Sequence, residues 1–285
     1  MTLAGKTIIM SGGSRGIGEA IAVRAARDGA NVALLAKTTE PHPALPGTIF
    51  TAAAAIEAAG GKALPLVGDI RDDAFVIDAV AQTAEAFGGI DIVVNNASAI
   101  DLSKTEDVTM KKYDLMNDIN SRGSFLLAKS CIEHLKASDN AHILTLSPPI
   151  TLDPKWFTSA TAYTIAKFGM SLVTLGLSEE LRPFGIAANS LWPRTAIDTA
   201  AVRNVVGAGL ATHSRTPAIM ADAAYEILVR PSGECTGNFF IDDDVLEDAG
   251  VTDFSIYLNG GEESDLVLDF WVEPKGPHNP ELSLQ

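Results

Sequence analysis

Six short apolar runs, rich in branched side chains, alternate along this chain with Ala-rich stretches of helical period, and no other feature restricts the fold as much. The runs fall at residues 6–10, 31–36, 63–67, 90–94, 142–146 and 186–191. Between them, residues 17–26, 75–87 and 168–181 carry apolar side chains at three- and four-residue steps, the spacing of one helix face. A strand that is apolar at every position has no solvent face. It is buried on both sides, as happens when helices cover both faces of a parallel sheet. The βαβα order therefore predicts an α/β fold: a doubly wound parallel sheet of about seven strands with helices on both faces. The alternation runs without an internal linker to residue 241, so one domain is expected over 1–241, followed by an extension over 242–285.

Two stretches break the pattern. Pro41, Pro43 and Pro46 exclude a helix across 37–48, so the second strand must reach its helix through a long loop. The second stretch is the extension, which carries most of the charge. Of 21 basic and 36 acidic residues, a single base, Lys275, and 13 acids lie in 234–285. A net charge of −15 repels phosphate backbones and anionic lipid surfaces, so nucleic acid is not an expected partner. No apolar stretch reaches the ~18–20 residues of a membrane span, and no basic-then-apolar leader opens the chain, so a soluble, cytoplasmic protein is expected. Cys131 and Cys235 have no CxxC spacing and the five histidines do not cluster, so neither a metal site nor a disulfide framework is expected. Short apolar pieces of the extension, Phe270-Trp271-Val272 among them, are expected to tack it onto the body or a neighbouring subunit.

The first chemical signal is Ser11-Gly12-Gly13-Ser14-Arg15-Gly16-Ile17-Gly18, between the first strand and the first helix. Gly12 lets the chain turn sharply, Gly16 lets backbone approach a pyrophosphate, and Gly18 lets the helix pack on the sheet, with helix N–H groups aimed at phosphates. Gly12, Ser14, Arg15, Gly16, Ile17 and Gly18 are thus candidate cofactor contacts, and the sheet is expected to be Rossmann-like. At the end of the second strand, NAD sites place an acid on the ribose and NADP sites a cation on the 2′-phosphate. Here the chain has Ala36-Lys37-Thr38, with no acid, and Lys37 with Arg15 forms a candidate cationic pocket. NADP(H) is favoured over NAD(H).

Downstream, Tyr163 and Lys167 stand four residues apart, on one helix face. A free phenol has a pKa near ~10, too high for acid/base work at neutral pH, and an adjacent ammonium favours the phenolate. Ser147 ends the fifth strand at the carboxyl edge, where open α/β sheets bind ligands. Together with Asp69 after strand three, Asn95-Asn96-Ala97 after strand four and Asn120 in the following helix, these residues resemble the short-chain dehydrogenase/reductase family over residues 6–241. Within it, Leu146-Ser147-Pro148-Pro149, Trp156-Phe157 and 191–197 are similar to the hydroxysteroid dehydrogenase-like group, whose larger members append a sterol-carrier domain. About 45 residues after the last strand are too few for one, so a lipid-carrier role is not expected. Two positions depart from the family: Ser98 stands where Gly is common, and Trp192-Pro193-Arg194-Thr195 replaces an Asn-Pro-Gly run.

The resemblance implies hydride transfer between a nicotinamide and a carbonyl or secondary alcohol. Ser147 would hold the carbonyl oxygen, Tyr163 exchange its proton, Lys167 lower the Tyr163 pKa and hold the ribose, and Asn120 anchor a proton-relaying water. Asp69 would contact the adenine, and Asn96 and Thr195 would lie along the cofactor. Ile150, Trp156, Phe157, Trp192 and Ile197 are candidate pocket walls, which points to a small apolar substrate of lipid, steroid or acyl type. Rival readings are an enoyl-thioester reductase, a nucleotide-sugar epimerase or dehydratase, and a non-enzymatic NADP(H)-binding protein. A homo-oligomer, dimer or tetramer, is expected by analogy, paired through helices over 110–136 and 159–183.

Overall fold

The computed structural model describes residues 1–41, 46–205, 207–275 and 282–284. Pro43 and Gln285 lie outside the described residues. Seven parallel strands, β1 Thr7–Ser11, β2 Asn31–Ala36, β3 Lys62–Val67, β4 Ile92–Asn95, β5 His142–Thr145, β6 Ala187–Trp192 and β7 Phe239–Ile241, form one sheet. Their order is β3-β2-β1-β4-β5-β6-β7. The order reverses between β1 and β4, which opens a crevice at the carboxyl edge of the sheet. The helices are α1 Gly16–Ala26, α2 Ile49–Ala58, α3 Asp73–Phe87, α4 Met110–Asn117, α5 Gly123–Leu135, α6 Thr161–Glu180, α7 Ala200–Val205, α8 Ala218–Leu228 and α9 Asp242–Asp248.

The uninterrupted apolar strands have the predicted consequence. Ile8 and Met10 of β1, Val32 and Leu34 of β2, and Ile92 and Val94 of β4 enter a core shared with α1, α2 and α8. Ile9, Ala33, Leu35 and Val93 enter a second core shared with α3, α5 and α6. Successive side chains of a strand point to opposite faces, so one apolar run serves two cores. Thr48 caps α2 with a reciprocal bond to Thr51, and Asp72 and Thr109 cap α3 and α4. α1 has no side-chain cap. Between α4 and α5 the helix passes through a π-helical turn, Asp118–Arg122.

β7 runs directly into α9, whose Val245 and Leu246 join the first core. The expected boundary at 241 therefore falls between two packed elements. Farther on, a strap over 266–273 returns to the carboxyl edge. Thr195 and Leu268 form an antiparallel bridge, and the Ala196 N–H donates to the Val267 carbonyl and that of Asp269 to the Arg194 carbonyl. A third, aromatic cluster gathers Phe270, Trp271 and Val272 around Tyr163, Phe168 and Trp192. Among the described residues no helix is long and apolar enough to cross a membrane.

Candidate active site

The Gly-rich turn fixes one end of the crevice. Gly12 has φ +74°, open to glycine at little cost, and a Cβ there would lie 2.8 Å from the Ala97 Cα. A Cβ on Gly18 would lie 2.5 Å from Asn96 Nδ2. Asn96 uses that space: its Nδ2 donates to the carbonyls of Ser11 at 3.2 Å and Gly12 at 2.8 Å. Ser11 Oγ in turn accepts from the backbone N–H groups of Asn96 and Ala97. The turn is thus fastened to the end of β4, and the uncapped first turn of α1, with Ile17, leaves N–H groups for an anion. A groove of about 970 Å³ opens beside Arg15 and Gly16 and is bounded by Gly47, Thr199 and Arg203. Thr199, which the motif reading passed over, lies against Gly16. These residues fit the diphosphate of a dinucleotide, and would hold it through backbone N–H groups.

At the ends of β2 and β3, Lys37 Nζ donates to Asp69 at 3.1 Å and Arg71 to the same carboxylate at 2.6 Å. Arg71, absent from the sequence reading, is the largest cause holding the Asp69 carboxyl far below its ordinary range. Arg15 donates to the Gly47 carbonyl at 3.0 Å. Two cations therefore share one carboxylate here. Ser14 is buried in the glycine turn.

The candidate catalytic residues lie at the end of β5, in α6 and in the turn between α4 and α5. Asn120 sits in the π-helical turn, a local widening that often marks functional sites. Its Oδ1 accepts from the Ala99 N–H at 2.7 Å and its Nδ2 donates to the Ala99 carbonyl at 3.0 Å, which fixes the chain after β4. Lys167 Nζ donates to the carbonyl of Leu146, the residue before Ser147, at 2.6 Å, and lies over the Trp192 ring. Burial lowers Lys167 to about 7, against the opposing pull of Asp269. Ser147 is fully buried, and its Oγ has no hydrogen-bond partner among the described residues. A buried orphan hydroxyl is costly unless a ligand satisfies it. Tyr163 is 5% exposed. Burial and then the Asp269 carboxylate push its phenol up, while a hydrogen bond from Ser98 pulls it down. Ser98, the family departure after β4, therefore belongs to the site.

The pocket walls divide. Trp192, Trp156 and Phe157 pack in the aromatic cluster with Tyr163. Ile150 stands half-buried outside it, and Ile197 is packed in the α1 and α8 core. Thr195 is buried beside the strap, and its Oγ1 also has no partner among the described residues. Arg194, in the place of a common Gly, donates to Asp243 and Asp244 of α9 and to the Glu273 carbonyl, and so ties β6, α9 and strap together. Phe270, Trp271 and Asp269 were hidden from motif reasoning. Their one signal was an apolar Phe-Trp-Val piece inside an acidic segment.

Comparison with known proteins gives the family of the chain. The sequence profile of the short chain dehydrogenase family matches residues 6–208. The chain is 58% identical over 282 residues to hydroxysteroid dehydrogenase-like protein 2 of Danio rerio, with 99% of this chain and 64% of that protein covered. Against the Homo sapiens protein of the same name, identity is 52% over 274 residues, with 95% and 65% covered. The chain spans less than two thirds of the length of these relatives. A solved short chain dehydrogenase from Mycobacterium thermoresistibile is similar with a TM-score of 0.91 at 57% identity, over 99% of both chains. A short-chain dehydrogenase/reductase from Serratia marcescens has a TM-score of 0.71 at 27% identity, over 85% of this chain and 97% of that one.

Proposed function

Because this chain belongs to the short-chain dehydrogenase family, we propose that it is an NADP(H)-dependent oxidoreductase that interconverts a carbonyl and a secondary alcohol on an apolar substrate. The carrying observation is the junction of β5 and α6: Lys167 Nζ bonds the carbonyl next to Ser147, and the Ser147 hydroxyl is buried and unsatisfied. When bound, the nicotinamide supplies or takes the hydride. The chain's own residues do the rest. Ser147 Oγ donates a hydrogen bond to the substrate oxygen, holding it where charge develops during reduction. Tyr163 passes its phenolic proton to that oxygen, or receives it in the reverse direction. Lys167 favours the phenolate by its charge and binds the cofactor ribose. Asn120, locked to Ala99, holds the chain after β4 so that the site keeps its shape. Thr199 and Asn96 line the diphosphate side, with Thr195 nearer the strap.

Preference for the 2′-phosphate is supported by Lys37 and Arg71, which share the Asp69 carboxylate, and by Arg15 in the glycine turn. A phosphate there would replace Asp69 as the partner of Lys37. Pairing into a homo-oligomer is supported by the apolar side chains that α5 and α6 leave exposed, Phe125, Ile165, Leu172 and Leu175.

The test is a spectrophotometric screen of ketones, alcohols and enoyl thioesters with NADPH and NADP. Consumption of NADPH with a ketone is expected, and Tyr163→Phe should lower kcat by roughly 10²-fold or more. Turnover of the variant within a few-fold of wild type would remove Tyr163 from proton transfer, and turnover of enoyl thioesters alone would assign a different redox reaction. Lys37→Ala should weaken NADPH binding about tenfold while leaving NADH within about twofold, since only the former carries the phosphate.

A further inference from the structure

A substrate oxygen must reach the Tyr163 phenol, with the rest of the molecule packed beside the ring. In this structure the protein itself fills that place. The Trp271 ring lies 5.7 Å from the Tyr163 ring and Phe270 stands edge-on at 6.2 Å. Trp271 also touches Phe168 at 5.5 Å and Trp192 at 5.6 Å. Resting on the oxidoreductase reading, we propose that Trp271 is the specificity-determining residue of this site: the strap over 266–273 holds its indole in the place of the substrate's apolar body, and substrate enters by displacing it.

The strap lies outside the seven-stranded sheet and bonds to loops and to the segment 282–284. The Ala196 N–H donates to the Val267 carbonyl, the Asp269 N–H to the Arg194 carbonyl and the Val267 N–H to the His213 carbonyl, while Leu268 exchanges bonds with Leu282 and Leu284. The Arg194 guanidinium and the Trp192 indole donate to the Glu273 and Phe270 carbonyls. Lys155 of the loop before α6 pairs with Glu273 at its far end, where solvent screens the contact. Against these bonds stand several costs of the docked state. Trp271 has φ +60°, a conformation rarely adopted by a bulky residue. Asp269 buries a carboxyl near that of Asp242, and the Phe270 N–H donates to it at 2.7 Å. Thr195, bridged to Leu268 of the strap, keeps a buried Oγ1 without a partner among the described residues.

The shape of the displaced group defines what replaces it. An indole packed between Tyr163, Phe168 and Trp192 leaves, once displaced, a flat apolar slot beside the Tyr163 ring. The matching ligand is a flat or fused-ring ketone or secondary alcohol, its oxygen at the edge that enters first.

Two measurements test this. In native-state hydrogen exchange on the wild-type chain, the Leu268 and Asp269 amides, bonded to the Leu282 and Arg194 carbonyls, should exchange at least ~100-fold faster than the amides of β5, through local opening. Exchange at the β5 rate would make the strap a fixed wall and overturn the proposal. In steady-state assays with NADPH, Trp271→Ala should raise the ratio of kcat/KM for decalone to that for cyclohexanone by roughly tenfold, mainly through KM, with Trp271→Phe intermediate. An unchanged ratio would overturn it. Should Trp271→Ala fail to fold, Trp271→Phe and the exchange rates decide. Failure of wild type and variants to consume any ketone would instead defeat the oxidoreductase reading, while exchange still reports whether the strap opens.

Discussion

Asn96 shows how one side chain converts a flexible glycine turn into a fixed cradle. Its amide spans the carbonyls of Ser11 and Gly12, in the space left by the missing Cβ of Gly18. Gly18→Ala would place a methyl 2.5 Å from that amide and 2.9 Å from the Gly12 carbonyl oxygen. Overpacking of this kind costs about 1–3 kcal/mol, and because the turn itself must shift, NADPH affinity should fall roughly tenfold or more. Isothermal titration with a parallel urea melt checks both, and an unchanged dissociation constant would show that Asn96 does not shape the cradle. The positions of Gly12, Gly16 and Gly18 could be read from the chain because strand, turn and helix follow in sequence. The fastening by Asn96 could not, since β1 and β4 are neighbours only in the sheet.

The π-helical turn and the strap repeat this contrast between elements. Family analogy predicts a helix across 110–136, and α4 and α5 occupy it, with a one-turn widening at Asp118–Arg122 between them. The strap instead brings Asp269 beside Lys167, Tyr163 and Asp242. Burial raises both Asp269 and Asp242 to about 7. A carboxyl raised in the folded state stabilises the fold below its unfolded pKa, and that contribution is lost as pH rises from about 4 through about 7. Asp269→Asn removes one such group, so its stability relative to wild type should improve between pH 5 and pH 8, by about 1 kcal/mol or more. Thermal melts across that range provide the check, and parallel curves for the two proteins would contradict it.

Over the whole molecule, the acidic residues of 234–285 do not form a free appendage. Asp243 and Asp244 receive Arg194, and Lys275 bonds Asp244 at 2.6 Å and Glu247 at 2.7 Å. The charge asymmetry seen along the chain is partly neutralised by folding. On the opposite side, α5 and α6 present Phe125, Leu172 and Leu175 to solvent, the face proposed to pair subunits. Leu172→Glu should convert the assembly to single chains in light scattering, because an unpaired carboxylate in an apolar interface costs more than such a contact returns. An unaltered mass would place the interface elsewhere.

What the sequence determined by itself was the sheet, the order of its helices, and the positions of Ser147, Tyr163, Lys167 and the glycine turn. Strand burial, helix period and turn chemistry are local properties, recorded within a few residues of where they act. The tertiary structure decided the rest: that Lys37 reaches Asp69, that Thr199 meets Gly16, and that Phe270 and Trp271 close over a tyrosine more than a hundred positions earlier in the chain. Those contacts join segments remote in sequence, and the aromatic pair closes on Tyr163 because packing buries apolar surface wherever a complementary face is found, without regard to the length of chain between them.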